Sequence, residues 1–523
     1  MKFFKPDTGI GIPLGDTRQD AVQPAERAVT ISKRVKIITV MLISLIGTLV
    51  ISSQLLIHNS IRLDEAQSLW QTSHSIPGIL KVIAQDVHVP LYHILLHFWQ
   101  ITFGQSIEAA RTLSLLFFIA TIPIVYLLAR RILSINWSLF VVVLFSFSPF
   151  MNWYANEARM YTLLVLVTTL SQLFFVKLIQ SKGRQGWLGY CLTAIVGVYV
   201  HYFFLFSLLT QAIFFLVSRK YFIKGTFYRF AALAVFLVIE LLPWLLYFHS
   251  LGSASNTSPN LQTPSSIDFF NVFSQFSYGF QTNAVNTILV SLWPLVVIVA
   301  LLAVRKGQRV THKLGYILAA ALLPIIIAFI MSYAITPFFV SRYMIASLPI
   351  LIIVGVWFMS HYKKPLYLAL SSLIIVMLIG TSLQEYLSHS TPVKEDFQSA
   401  AQVISHKVTS SDRVVLSAPF SIYPFNYYYN GEATVSTLPI WNRSTPGAMP
   451  AFDSKQLAKQ VNQLNANHQY IYLLLSSDQG YQEQIYQYYE RHFEKTLSQQ
   501  FSPGLQLQVY RVNYSQAKTV GEL

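Results

Sequence analysis

From Ile37 to Trp70 the chain reads IITVMLISLIGTLVISSQLLIHNSIRLDEAQSLW. The stretch Ile37–Ile57 carries no charge, and about 20 apolar residues in a helix, at roughly 1.5 Å each, cross the ~30 Å hydrocarbon core of a bilayer. Arg62, Asp64 and Glu65 follow where the chain leaves that apolar phase. Further apolar runs, separated by basic clusters, predict about eleven spans in all: 37–57, 109–130, 136–154, 160–178, 187–200, 203–218, 229–249, 285–304, 313–335, 343–360 and 365–384. Two of them, 187–200 and 203–218, are short and meet at His201. Composition agrees, since 54% of the 523 residues are hydrophobic and 11% charged, at a mean hydropathy of +0.48. Soluble domains carry about a quarter charged residues, so a soluble globular enzyme and a disordered chain are both excluded.

The net charge of +15 is confined to the membrane part, because residues 391–523 hold 10 basic and 10 acidic side chains. Basic residues gather in the N-terminal tail (1–36) and in every second connection: Arg130/Arg131, Lys177/Lys182/Arg184, Arg219/Lys220/Lys224/Arg229, Arg305/Lys306/Arg309/Lys313 and Lys363/Lys364. The positive-inside rule then predicts a multi-pass plasma or inner membrane protein with its N-terminus cytoplasmic and residues 391–523 extracytoplasmic. That pattern accounts for the basicity without a nucleic-acid partner. The first apolar run reads as a retained anchor, because a polar tail precedes it and it is long enough to span. The single cysteine, Cys191, gives neither a disulfide framework nor a thiolate metal site.

Two outer connections are long, 58–108 and 250–284, and loops of that length usually have a function or are disordered. The first predicts surface-lying amphipathic helices over Asp64–Trp70 and Leu91–Phe103; the second, with GSASNTSPN and TPSS, reads as a mobile loop or lid. Residues 391–523 alternate helix-like stretches (Asp396–Lys407, Ser454–Asn465, Tyr481–Gln499) with strand-like ones (Arg413–Ser417, Ala433–Leu438, Tyr470–Ser476, Leu505–Val512). That is the pattern of a small α/β domain, and it contains no phosphate-binding glycine motif. The predicted fold class is a polytopic α-helical membrane protein, with a transmembrane domain over 37–390 and an extracytoplasmic α/β domain over 391–523.

Ionisable residues at membrane depth are costly and are functional candidates by default. In this topology Arg62, Asp64 and Glu65, then Asp86, His88, Tyr92 and His93, then Glu157, Arg159 and Tyr161, then His201, and finally Arg342 and Tyr343 all fall at the outer mouth of the bundle. Carboxylates and guanidinium groups at one level suit transfer of a group from a lipid phosphate: a carboxylate deprotonates the acceptor, and arginines stabilise the departing phosphate. Asp64 is the expected base, and Glu65, which cannot share its direction on a helix, is expected to hydrogen-bond or orient the site instead; Arg159 and Arg342 are the expected phosphate ligands, because Arg presents a planar fork to phosphate oxygens. Blander roles compete. Asp64 also suits a helix cap, Glu157 and Arg159 a local pair, Arg342 a snorkelling headgroup contact, His201 an interfacial hydrogen bond, and Glu240 beside Pro243 a bond to freed backbone. His93 and His97 have the spacing of two metal ligands, with Asp86 and His88 as candidates to join them, but no third ligand has the spacing of a known site, so no metal site is assigned and a divalent cation stays open. Tyr423, Tyr427, Tyr428 and Tyr429 read as structural. The sequons at Asn256, Asn442 and Asn513 are weak signals.

The order R-L-D-E-A (62–66), D-x-H-x-P-L-Y-H (86–93), S-P-F-x-x-W-Y-x-x-E-A-R-M-Y (148–161) and S-R-Y (341–343) resembles the bacterial GT-C membrane glycosyltransferases related to protein O-mannosyltransferases and aminoarabinose lipid A transferases. The resemblance covers about residues 37–390. It implies an inverting transferase, using a polyprenyl-phosphate-linked sugar donor and an envelope lipid, glycan or protein acceptor, with Asp64 and Glu65 at the catalytic centre. Relatives differ in their use of a divalent cation, so no cofactor follows from it. From another functional class, a flippase moving a lipid-linked saccharide competes; the one-sided clustering of ionisable residues and the lack of an inverted repeat weigh against it. A non-catalytic scaffold is the third possibility.

Overall fold

The computed structural model describes residues 17–58, 60–86, 88–250, 262–302, 311–387, 395–444, 449–476 and 480–512. The N-terminal residues 1–16, the whole GSASNTSPN stretch with Asn256, and Asn513 lie outside them. Among the described residues seven helices are long and apolar enough to span: Ser32–Ser53, Ile107–Ala129, Tyr161–Gln180, Thr226–Ser250, His312–Ala334, Ser341–Met359 and Lys364–Gln384. Counting each of two bent helix pairs as one span brings the number to nine, and Trp187–Val200 and Phe204–Val217 are shorter apolar helices. Each of the eleven expected runs therefore lies on a helix, although not each is a straight span. Large apolar side chains such as Ile46, Val238, Ile239 and Ile379 lie exposed along these helices, as a lipid-facing surface requires.

The bends have local causes. The run expected as one span over 136–154 is Ile135–Ser146 followed by Pro149–Ala155, turned by 56°. Ser148 caps the second piece, its hydroxyl accepting the Met151 N–H, and Pro149 stands at the first turn where its missing N–H costs nothing. The turn delivers Asn156–Met160 to the level of the first loop. Within the connection 250–284, read from sequence as a mobile loop or lid, residues 251–261 lie outside the described residues, and Ser266–Tyr278 is a helix, opened by Ser265 and Asp268 in a reciprocal cap and bent by 104° against the helix that begins at Asn283. The first long loop forms three short helices, Leu63–Thr72, Ile76–Ala84 and Leu91–Phe103.

The C-terminal segment folds around a five-stranded sheet. Its strands are β1 (Arg413–Ser417), β2 (Thr434–Thr437), β3 (Tyr470–Ser476), β4 (Glu494–Ser502) and β5 (Leu505–Arg511), in the order β2-β1-β3-β5-β4. β1 is parallel to β2 and β3, while β5 is antiparallel to both β3 and β4. The helix-like stretch expected over Tyr481–Gln499 is corrected: the helix ends at His492, and β4 follows. β4 is a polar edge strand whose half-buried Leu497 and Phe501 are its only large apolar side chains. Its register comes from the Pro503-Gly504 turn and from β5, not from its own composition. A further helix, Ile422–Tyr428, lies against the Leu63–Thr72 helix.

Candidate active site

The Leu63–Thr72 helix starts with two acidic residues, where the positive end of the helix dipole favours them. Glu65, fully buried, reaches back to accept the Arg62 N–H at 2.9 Å. It also accepts Arg111 Nε at 2.8 Å, Arg111 Nη2 at 2.7 Å and the Ala158 N–H at 2.9 Å, so each carboxylate oxygen holds two donors. Arg111 spends further donors on the carbonyls of Leu56 and Ser60, both at 3.1 Å. One buried ion pair thus ties together the end of the first span, the 60–62 turn, the 63–72 helix, the helix from Ile107 and the 156–160 loop. Burial pushes the Glu65 carboxyl up, but the charge and bonds of Arg111 outweigh it and hold the group below the usual carboxylate range. Glu65, expected at the catalytic centre, has no lone pair left for substrate, and this geometry gives it a positioning role.

Neighbouring helical residues point about 100° apart, and Asp64 faces a different set of groups. Its side chain is 26% exposed, with Oδ2 3.3 Å from Arg342 Nη1. Arg159 Nη1 donates to Ser68 Oγ at 3.0 Å, and Nη2 lies 2.8 Å from His88 Nε2. Because Arg is always a donor, that imidazole nitrogen accepts, and the ring proton resides on Nδ1. Asp86 Oδ2 lies 3.7 Å from His88 and accepts the amides of Gln67 and Gln71, one turn apart on the 63–72 helix. Burial works to raise the Asp64 carboxyl; the charges of Arg159, Arg342 and Arg62 more than offset this, and the group is held below the usual range. Asp64 is therefore an ionised, partly open carboxylate among cations.

The remaining expected residues divide into supports and walls. Arg62 pairs with Glu157 at 2.7 Å and stacks its guanidinium 3.5 Å over the Trp153 ring. Burial raises the Glu157 carboxyl, against the pull of Arg62. Tyr92 bonds Ser114 at 3.1 Å, and Ser114 donates to the Arg159 carbonyl at 3.1 Å, so Tyr92 fixes Arg159 indirectly. His93 is buried with its ring stacked on His88 at 5.7 Å, and burial drives its pKa well down. His97 instead faces the Thr72 carbonyl, 2.8 Å from Nδ1, so the two histidines are not joined as a ligand pair. Tyr161 and Tyr343 line the far side with His201, whose Nδ1 accepts the Phe203 N–H at 3.1 Å. Burial pushes His201 down to about 3, which leaves it neutral.

Among the described residues no three His, Cys, Asp or Glu side chains converge as metal ligands. Asp64, Glu157 and Asp86 each face different partners. Sequence reasoning missed Arg111 as the keystone, although a charge four residues into an apolar helix is the available signal. It also missed Gln67, Ser68 and Gln71, whose spacing with Asp64 marks a polar stripe on one helix face.

A family model described as dolichyl-phosphate-mannose-protein mannosyltransferase matches residues 87–247. No curated protein matches the chain. Among solved structures, ArnT from Cupriavidus metallidurans in the apo state is 13% identical, with 93% of this chain and 98% of that one covered and a TM-score of 0.54. The structure of the same protein bound to undecaprenyl phosphate is 12% identical, covers 90% and 97%, and gives a TM-score of 0.53. At such identities the likeness is one of fold.

Proposed function

We propose, from the GT-C fold that this chain shares with membrane glycosyltransferases, that it moves a sugar from a polyprenyl-phosphate donor to an envelope lipid, glycan or protein acceptor on the outer face of the membrane. The observation that carries this reading is the setting of Asp64: an accessible carboxylate beside Arg342, with Arg159 and His88 alongside, assembled from four separated segments. The bound undecaprenyl phosphate of the ArnT structure supports the donor class.

Before substrate arrives, Arg342 pairs with Asp64, and a carboxylate so depressed is a weak base. A donor phosphate competes for Arg342 and Arg159, which draws the cation from Asp64 and raises its basicity when the donor is in place. Asp64 then takes the acceptor hydroxyl proton, and the acceptor oxygen bonds to the anomeric carbon on the face opposite the phosphate. The carbon–oxygen bond to phosphate breaks, and its electron pair leaves with the lipid phosphate, held by the arginines. One displacement needs one base and inverts the centre, so Glu65 is not required as a nucleophile.

The test is incubation of the protein in liposomes with radiolabelled polyprenyl-phosphate sugars and envelope extract; label retained on the donor across the whole panel contradicts the proposal. Arg342→Gln is expected to lower kcat/KM roughly 10- to 100-fold, the worth of one charged hydrogen bond, with most of the loss in KM for the donor. The pH profile carries a sign. A depressed Asp64 stays ionised into acid, so the acid limb of kcat/KM for the wild type lies below the ordinary carboxylate range. Removing the Arg342 charge raises Asp64, and in Arg342→Gln the limb moves to higher pH. A limb that stays in place contradicts the pairing.

A further inference from the structure

We infer that the C-terminal domain positions the base: Tyr427 and Tyr428, at the end of the Ile422–Tyr428 helix, hold the two segments that meet in the Glu65–Arg111 pair, and through them Asp64. The inference rests on the glycosyltransferase reading. The Tyr428 hydroxyl oxygen accepts the Ile61 N–H at 2.9 Å, and that of Tyr427 accepts the Ile107 N–H at 3.0 Å. Both contacts join residues more than 300 positions apart. The two rings stand edge to face, 4.9 Å apart at 88°, which sends adjacent hydroxyls to different segments.

Each accepted N–H is placed at a lever. Ile107 is the first residue of the helix that carries Arg111, and a first-turn N–H has no acceptor inside its own helix. Ile61 precedes Arg62, whose N–H is held by Glu65, and follows Ser60, whose carbonyl is held by Arg111. The same domain also grips the other end of the 63–72 helix. Tyr423 packs 5.3 Å from Trp70, and the Arg443 guanidinium lies 5.3 Å from both rings. Asp64 thus sits on a short helix fixed at its start by a tyrosine hydroxyl and near its end by an aromatic and cationic stack, all from the C-terminal domain. A displacement of about 1 Å in a reacting group can cost roughly 100-fold in rate, so a hydroxyl remote from the chemistry can govern it.

The test compares Tyr427→Phe/Tyr428→Phe, which keeps both rings and removes both acceptors, with Tyr429→Phe. Tyr429 is the matched control because its hydroxyl bonds the Ala433 carbonyl inside the domain. Kinetics, melting temperature and hydrogen exchange at the Ile61 and Ile107 amides are read on the full-length protein in liposomes. Positioning predicts that the double variant loses roughly 10- to 100-fold in kcat, with donor KM within about twofold and an unchanged melting temperature. Its two amides exchange faster, and Tyr429→Phe behaves as wild type in every readout. A double variant with wild-type kcat overturns the inference while leaving the transferase reading intact. Equal kcat losses in the double variant and Tyr429→Phe, tracking lowered melting temperatures, overturn it in favour of plain packing. Wild-type protein that transfers no sugar overturns the transferase reading, and the positioning claim with it.

Discussion

Asp64→Asn is expected to lower kcat by roughly 10²- to 10⁴-fold, the usual contribution of a positioned general base, while donor binding is retained. Asparagine keeps the size of the side chain and the start of the helix, and still offers an oxygen to Arg342, but it cannot take a proton. The substitution also removes a negative charge beside Arg159 and Arg342, so affinity for a donor phosphate should hold or rise. Steady-state transfer together with donor binding by the same preparations checks both halves. Loss of binding in step with loss of rate would make Asp64 a structural residue.

The second large effect concerns stability. Arg111→Leu leaves the Glu65 carboxylate buried without its cation, and removing one partner of a buried pair costs about 3–5 kcal/mol. Glu65→Gln costs less than this, because the amide oxygen still accepts two of the four donors, but it turns a donor toward Arg111. Both variants should melt earlier than wild type and lose transfer with it, since Ala158 and Arg62 are anchored on the same oxygens. The double change Glu65→Leu/Arg111→Leu should recover much of the stability and little of the activity. For pH the sign follows from Glu65 being depressed in the folded state. Its stabilisation is full above the ordinary glutamate value of 4.5 and is lost as pH falls through the lower folded value. A melting temperature in Arg111→Leu equal to wild type would refute the keystone.

What the sequence makes legible follows the physics that each signal reports. Partition between water and lipid depends on composition alone, so the apolar runs map onto helices, and the strongly apolar strands β1 and β3 fall on Arg413–Ser417 and Tyr470–Ser476 as expected. Elements whose state is set by a distant partner are hidden. β4 has the composition of a helix surface and becomes a strand because β5 offers it a ladder; the Ser266–Tyr278 helix lies in what reads as a polar loop. At the site, residue type and depth mark Asp64, Arg159 and Arg342. Adjacency on a helix separates the directions of Asp64 and Glu65, but which carboxylate is open and which is saturated depends on Arg111, 46 positions away from Glu65. The tyrosines read as structural acquire a task only when the fold sets them against Ile61 and Ile107.

In the proposed reaction one carboxylate, Asp64, drives a single displacement at a polyprenyl-phosphate-linked sugar. The most direct measurement is the anomeric configuration of the product, read by nuclear magnetic resonance on sugar transferred from a donor of known configuration by the wild-type protein in liposomes. The expected product is inverted at the anomeric carbon. A product with the donor's configuration would require a second, nucleophilic group at the anomeric carbon and would contradict the single displacement.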